Sequence, residues 1–222
     1  MFDKRINIFT GHFGSGKTEV AVNYAIKMSE MHKETAIVDL DIVNPYFRTA
    51  DAREVLERHG IWVITPLYAN TNVDVPALPP QISTLFDNKE YKVVLDVGGD
   101  DLGAKAVSRY RTEIFENDYE MFFVINTRRP MTNTVEKIEG MIRSIEESSR
   151  IKVTRLVNNT NILQDTAMED IMEGQKLIEH VSKELNIPVG FISGMLGVLM
   201  VEKGESSGNV LYMKKLIKLP WD

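Results

Sequence analysis

A chain of 222 residues, 43% hydrophobic and 26% charged, is long enough for one well-buried α/β domain and too short for two full ones. A formal net charge of −6, with acids and bases interspersed, argues against a dedicated nucleic-acid binder. With no cysteine, the chain alone cannot build disulfides, thiolate zinc sites, cysteine nucleophiles or cysteine-held iron–sulfur clusters.

Met1-Phe2-Asp3-Lys4-Arg5 runs directly into an apolar segment, so no secretory leader is expected and a cytoplasmic location is the default. Ile6 to Phe9 reads as a strand, and a helical repeat follows at Val20, Ala21, Tyr24, Ala25 and Met28. Between them, Gly11-His12-Phe13-Gly14-Ser15-Gly16-Lys17-Thr18 fits the phosphate-loop pattern G-x-x-x-x-G-K-[ST]. A glycine-rich turn between strand and helix leaves backbone N–H groups free to point at an anion, and the helix N-terminus adds partial positive charge. Lys17 is expected to reach the outer phosphates of a nucleoside triphosphate, and the Thr18 hydroxyl to take a place on magnesium. The expected nucleotide-binding stretch is therefore Gly11, His12, Phe13, Gly14, Ser15, Gly16, Lys17, Thr18 and Glu19.

Further along, Thr35 to Asp39 reads as a short strand ending in acid, and a helix beginning near Thr49 leads to a strand from Ile61 to Thr65. A loop rich in Asn and Pro spans Pro66 to Pro80, and Tyr91 to Asp96 is another strand closed by acid. A helical region from Ala104 to Phe115 precedes the strand Met121 to Ile125, and Val135, Ile138, Met141, Ile142 and Ile145 share one helical face. Ile151 to Val157 reads as a strand, Ile171, Ile178, Val181 and Leu185 mark a helix, and Ile187 to Ile192 a further strand. Strands alternating with helices predict a parallel sheet with helical crossovers, in one domain over residues 1–222. The longest nearly apolar stretch, Phe191 to Val201, falls short of the about 20 residues needed to cross a bilayer.

Ligands of open parallel sheets sit beyond the carboxyl ends of the strands. Four such ends carry polar signatures: the phosphate loop, Asp39-Leu40-Asp41, Asp96-Val97-Gly98-Gly99 and Asn158-Asn159. A carboxylate at Asp96, after Val93-Val94-Leu95, is placed to hold magnesium opposite Thr18, the alternative being a strand-end cap. Gly98 and Gly99 let the backbone pass close to a terminal phosphate, and Asp100, Asp101 and Gly103 resemble a mobile switch segment. Strand alternation aims Asp39 and Asp41 at a common space, where one organises metal-bound water and the other orients a nucleophile; a solvated acidic loop is the plainer alternative.

Together, Gly11–Thr18, Asp39-Leu40-Asp41 and Asp96-Val97-Gly98-Gly99 resemble the MinD/ParA branch of P-loop proteins, which includes nitrogenase iron protein, dethiobiotin synthetase and the CobB/CobQ enzymes. The resemblance implies a three-layer P-loop NTPase fold with a mainly parallel sheet of seven or eight strands. It also implies Mg2+ and ATP as ligands, slow hydrolysis, and dimerisation in many members. Carried over by position, Asp41 is the acid that orients the attacking water, and Thr18, Asp39, Asp41 and Asp96 form the magnesium set. Asn158 or its neighbour Asn159 is similar to the strand-end asparagine that contacts adenine; either also suits a turn cap. Many members carry a lysine directly after the first loop glycine, reaching across a dimer; here that position is His12. A shorter, partly charged imidazole does not reproduce a fixed cation at that distance, which speaks against the nucleotide-sandwich dimer.

Three outlying features complete the reading. Ile42-Val43-Asn44-Pro45-Tyr46-Phe47-Arg48 offers aromatics beside an arginine, suited either to a partner or planar substrate or to anchoring the segment. Arg128-Arg129 suits a phosphate or carboxylate of a second substrate, or is a solvated pair. The stretch from Asn209 to Leu219 mixes Val210, Leu211, Met213, Leu216 and Ile217 with Lys214, Lys215 and Lys218; packing against the domain is favoured over membrane binding. The expected function is a Mg-dependent ATPase acting as a regulatory or positioning switch, with a protein partner or small-molecule substrate besides ATP and a homodimer left open. The alternative is a phosphotransferase or ligase acting on a small molecule or polynucleotide end, with Asp41 as base and Arg48, Arg128 and Arg129 as the acceptor pocket. A non-catalytic nucleotide-binding module, in which Lys17 and Thr18 bind ATP without cleavage, ranks last because both candidate catalytic acids are present. The guanine-reading N-K-x-D pattern is absent, whereas Asn158 suits adenine.

Overall fold

The computed structural model describes residues 2–41, 48–66, 79–199 and 209–217. Eight strands form one sheet: β1 (Ile6–Thr10), β2 (Thr35–Leu40), β3 (Trp62–Ile64), β4 (Lys92–Val97), β5 (Tyr119–Ile125), β6 (Arg155–Asn158), β7 (Val189–Met195) and β8 (Val210–Met213). Their spatial order is β3-β2-β4-β1-β5-β6-β7-β8, and every neighbouring pair is parallel. The helices are α1 (Lys17–Ser29), α2 (Arg53–Arg58), α3 (Gln81–Asp87), α4 (Asp101–Ser108), α5 (Arg111–Phe115), α6 (Val135–Ser149), α7 (Met168–Leu185) and the single turn α8 (Leu196–Leu199).

Alternation along the central strands divides the core in two. Ile6, Ile8, Val93, Leu95, Met121 and Phe123 face α3 to α7, whereas Phe9, Ile37, Val94, Phe122 and Val124 face α1 and α2. On the second face Phe9 stacks on Phe122 at 4.8 Å, and Tyr24 of α1 closes over both. The Tyr24 hydroxyl donates to the buried Asn7 Oδ1 at 2.9 Å, which keeps a polar residue inside β1 satisfied. The helices thus cover both faces of the sheet.

Several elements differ from expectation, each for a local reason. The strand expected over residues 151–157 begins only at Arg155. Arg150 (φ 58°) ends α6 in the left-handed region, and the N–H groups of Ile151 and Val153 are bound to Ser149 Oγ and Glu146 Oε1. The helical region over residues 104–115 is two helices, parted where the Tyr110 N–H turns back to the Val107 carbonyl. The helix near Thr49 opens with a 3-10 turn, Thr49–Ala52, before α2. Asp100, Asp101 and Gly103, expected as a switch segment, lie at the capped start of α4, the Asp100 carboxylate accepting from the Gly103 N–H at 2.7 Å. Helix α3 was not foreseen, and the Asn/Pro-rich loop expected before it lies for residues 67–78 outside the described residues. So do residues 42–47 of the aromatic segment.

The described part of the C-terminal stretch, residues 209–217, packs against the domain as expected. Val210 to Met213 joins the sheet as β8, and beyond it the chain is tied to α1. Glu19 accepts from the N–H groups of Leu216 at 2.7 Å and Ile217 at 3.2 Å, while Asn23 both donates to the Lys214 carbonyl and accepts from its N–H. The side chain of Glu19, a residue expected in the nucleotide site, is engaged in this clamp. Burial raises its carboxyl above the ordinary range against these hydrogen bonds. Replacing Glu19 with Ala is predicted to cost about 2 kcal/mol, because two charge-assisted hydrogen bonds are lost. Urea denaturation measures the cost, and hydrogen exchange should show residues 210–217 losing protection first.

Candidate functional site

The carboxyl ends of β1, β2, β4, β5 and β6 converge around the phosphate loop. Gly16, at the N-cap of α1, has φ 82°, and a Cβ there would lie 2.4 Å from Asn159 Nδ2, so glycine is required both for the turn and for the contact. Lys17 and Thr18 are consequently the first helical residues, both buried. Opposite them, Gly99 passes so close to the loop that a Cβ on it would stand 1.8 Å from the Gly11 carbonyl oxygen. The glycine expected beside a terminal phosphate thus brings the β4 segment against the loop's own backbone.

The acids lie in a row. Asp39 and Asp96 are direct neighbours in the β2–β4 register, on the same face of the sheet. Asp41, just beyond β2, donates its N–H to Asp39 Oδ1 at 3.0 Å. Its own carboxylate meets the Lys17 ammonium at 3.0 Å, with both side chains buried. Arg48 places Nε 3.1 Å from Asp39 Oδ2, an ion contact lacking hydrogen-bond alignment, and Nη1 donates to the main-chain oxygen of Asp41. Thr49 donates its hydroxyl to Asp96 Oδ2 at 3.0 Å.

Burial dominates the electrostatics of this group. It raises Asp39 well above the ordinary carboxylate range, Arg48 opposing the shift while Asp96 and Asp41 add to it. Burial raises Asp96 likewise, opposed by Lys17, increased by Asp41, and opposed again by the hydroxyls of Thr18 and Thr49. For Lys17 burial alone would lower the pKa, but Asp41, Asp96 and Asp39 together raise it, so the ammonium stays charged. The cluster is short of positive charge.

These residues fit magnesium of one kind only. Among the described residues no three acidic or histidine side chains form a ready-made metal cage. Magnesium, however, is ordinarily held by one or two carboxylates together with substrate phosphates and water. Asp96 Oδ1 is buried without a hydrogen-bond partner beside Thr18, an all-oxygen setting that suits that mode. Asp39 adjoins both Asp96 and Asp41, and Thr18 lies beside Asp96, but among the described residues the three acids do not form a metal-holding group by themselves.

The asparagines are occupied elsewhere. Asn158 Nδ2 donates to the Ile171 carbonyl at 3.0 Å and to Gln175 Oε1 at 3.2 Å, and its Oδ1 accepts from the Thr160 N–H. Asn159 Nδ2 holds the Ser15 carbonyl of the phosphate loop at 2.7 Å, and its Oδ1 accepts from Ser193 Oγ at 3.0 Å. Asn158 secures α7 and Asn159 braces the loop, so both side-chain amides are engaged within the protein. Arg128 pairs with Asp170 and Glu173 of α7 at 2.6 Å, and Arg129 Nε donates to the Gly14 carbonyl at 3.1 Å. Of the loop residues, Phe13 is exposed, and buried His12 Nδ1 lacks a hydrogen-bond partner. The sequence reading missed Thr49 and Ser193, hydroxyl residues that no motif singles out.

No protein-family model matches the chain, and no curated protein does. Among solved structures it is similar to cell division protein FtsY of Thermotoga maritima, at 20% identity and TM-score 0.56 over 86% of this chain. Chloroplast FtsY of Physcomitrella patens gives 20% and 0.55 over 85%. Signal recognition particle receptor FtsY of Elizabethkingia anophelis, in complex with GDP, gives 15% and 0.51 over 87%. The fold is that of the P-loop NTPases. The chain spans 58–61% of the length of these relatives, and at such identities the likeness concerns architecture alone.

The Gly99–Gly11 contact yields a paired prediction. Gly99→Ala forces the loop backbone aside and should destabilise by about 1–3 kcal/mol, as overpacking does. Gly140→Ala, on α6 with nothing within 4 Å of the new methyl, should instead stabilise by about 1 kcal/mol through helix propensity. Denaturant titration of the two variants side by side checks both signs.

Proposed function

We propose that this chain binds a magnesium nucleoside triphosphate, with ATP the nucleotide, and hydrolyses it as a regulatory or positioning switch of the MinD/ParA-like kind. The observation that supports this most is the buried Lys17–Asp41 pair at 3.0 Å. A polyphosphate entering the loop competes for the ammonium, and Asp41, relieved of Lys17, becomes available to accept a proton from water. That water attacks the terminal phosphorus, the bond to the bridging oxygen breaks, and the diphosphate departs with the electron pair. Bound magnesium supplies charge neutralisation between the outer phosphates, with Thr18, Asp39 and Asp96 the residues that would hold it. One pair of side chains thereby couples occupancy of the loop to release of the base.

The phosphotransferase reading has less support, because its acceptor arginines are engaged. Arg128 is paired with α7, Arg129 lies on the loop backbone, and Arg48 is buried among the acids. GTP remains a second reading of the base. The engagement of Asn158 and Asn159 within the protein weakens one of the two grounds for adenine, the other being the absent N-K-x-D pattern, and one FtsY of similar fold was solved with GDP. The cytoplasm, one domain over the whole chain, and a protein partner or second copy belong to the same proposal.

Lys17→Ala is predicted to weaken binding of fluorescent ATP and GTP analogues at least about tenfold, the loss of roughly one charge-assisted hydrogen bond. Undiminished affinity for both, or none in the unaltered protein, sinks the proposal; the stronger of the two ligands identifies the base. Asp41→Asn should retain binding and lose turnover by about 100-fold, read as phosphate release.

A further inference from the structure

Arg48 stands where a cation site would be disturbed by it. Its side chain is buried, Nε touches Asp39 Oδ2 at 3.1 Å, and Nη1 is bound to the Asp41 main-chain oxygen. The adjacent Thr49 takes Asp96 Oδ2 at 3.0 Å, and Lys17 takes Asp41 at 3.0 Å. Each acid of the proposed magnesium set therefore already has a protein group beside it, although two cations serve three carboxylates and Asp96 Oδ1 has no hydrogen-bond partner. Two fixed cations, Lys17 and Arg48, face the carboxylates of Asp39, Asp41 and Asp96. A dication added beside Asp39 would meet the guanidinium in a dry interior, where like charges repel strongly and an unpaired ion is costly. Were Arg48 removed, the same carboxylates would be left with Lys17 alone, and a metal would be the natural replacement.

We propose that Arg48 is the resident cation of the acid cluster, a side-chain substitute that occupies the Asp39 edge of the metal site until a polyphosphate draws it away. The idea rests on the nucleotide reading for what displaces Arg48, but its first half concerns the protein alone. A guanidinium suits such an exchange, since its fork of donors binds phosphate oxygens as readily as carboxylates. The nucleotide-free protein is thereby kept from loading metal on its own, and metal enters with the nucleotide.

The test uses Mn2+ as the probe, its free concentration followed by electron paramagnetic resonance, on the whole chain without nucleotide. Arg48→Ala and Arg48→Gln are expected to bind Mn2+ at least about tenfold more tightly than the unaltered protein. Equal affinities, or tight binding by the unaltered protein, overturn the proposal. Should the variants fail to fold by circular dichroism, the side-chain 15N resonance of Arg48 in the unaltered protein decides. It should stay in place with Mg2+ alone and shift with Mg2+ plus a non-hydrolysable triphosphate; a shift with Mg2+ alone overturns the proposal. Failure of any nucleotide to bind would strike the nucleotide reading instead, because the Mn2+ comparison contains none.

Discussion

Two carboxylates set side by side inside a sheet, Asp39 on β2 and Asp96 on β4, are the constraint from which the site is built. Parallel strands in register bring equivalent positions to the same face, so neither side chain can turn away without breaking the pairing. Charges so placed are tolerated only with partners. Arg48 beyond the end of β2 is the partner of Asp39 and the hydroxyl of Thr49 that of Asp96, while Lys17 at the start of α1 pairs with the adjoining Asp41. The phosphate loop, the acidic strand end and the turn before α2 are consequently locked to one another by charge, not merely adjacent.

A second constraint is backbone contact. Gly99 lies on the Gly11 carbonyl, and Asn159 holds the Ser15 carbonyl from the other side. The segments that follow β4 and β6 thus fix the height of the loop above the sheet, which is how a flexible glycine-rich turn acquires a defined shape before any ligand arrives. Preformed donors need no reorganisation when charge is delivered to them.

The sequence disclosed most of this frame because its signals were periodic or punctuated. The runs at Val93–Leu95 and Met121–Ile125 are apolar throughout and Ile6–Phe9 is apolar but for Asn7, much as buried parallel strands require, and all three belong to the centre of the sheet. The loop and its acids were legible because each ends a strand. What escaped detection depended on tertiary partners. Asn158 and Asn159 present the same side chain in consecutive positions, and only the approach of α7 on one side and the loop on the other separates their roles. Val210 to Met213 looks like part of a basic amphipathic tail until β7 offers an edge to pair with. Glu19 sits inside a nucleotide motif yet serves the far end of the chain.

That last attachment bears on the order of events during synthesis. Helix α1 is made early, but the backbone that satisfies Glu19 and Asn23 comes nearly 200 positions later, as the separation of Glu19 from Ile217 shows. Contacts so distant in sequence are slow to close, and a buried carboxylate lacking them is poorly satisfied meanwhile. A nascent chain still missing its final strand therefore carries an α1 with its polar flank open, and the helix that begins at the phosphate loop gains its full support only once translation has passed residue 217.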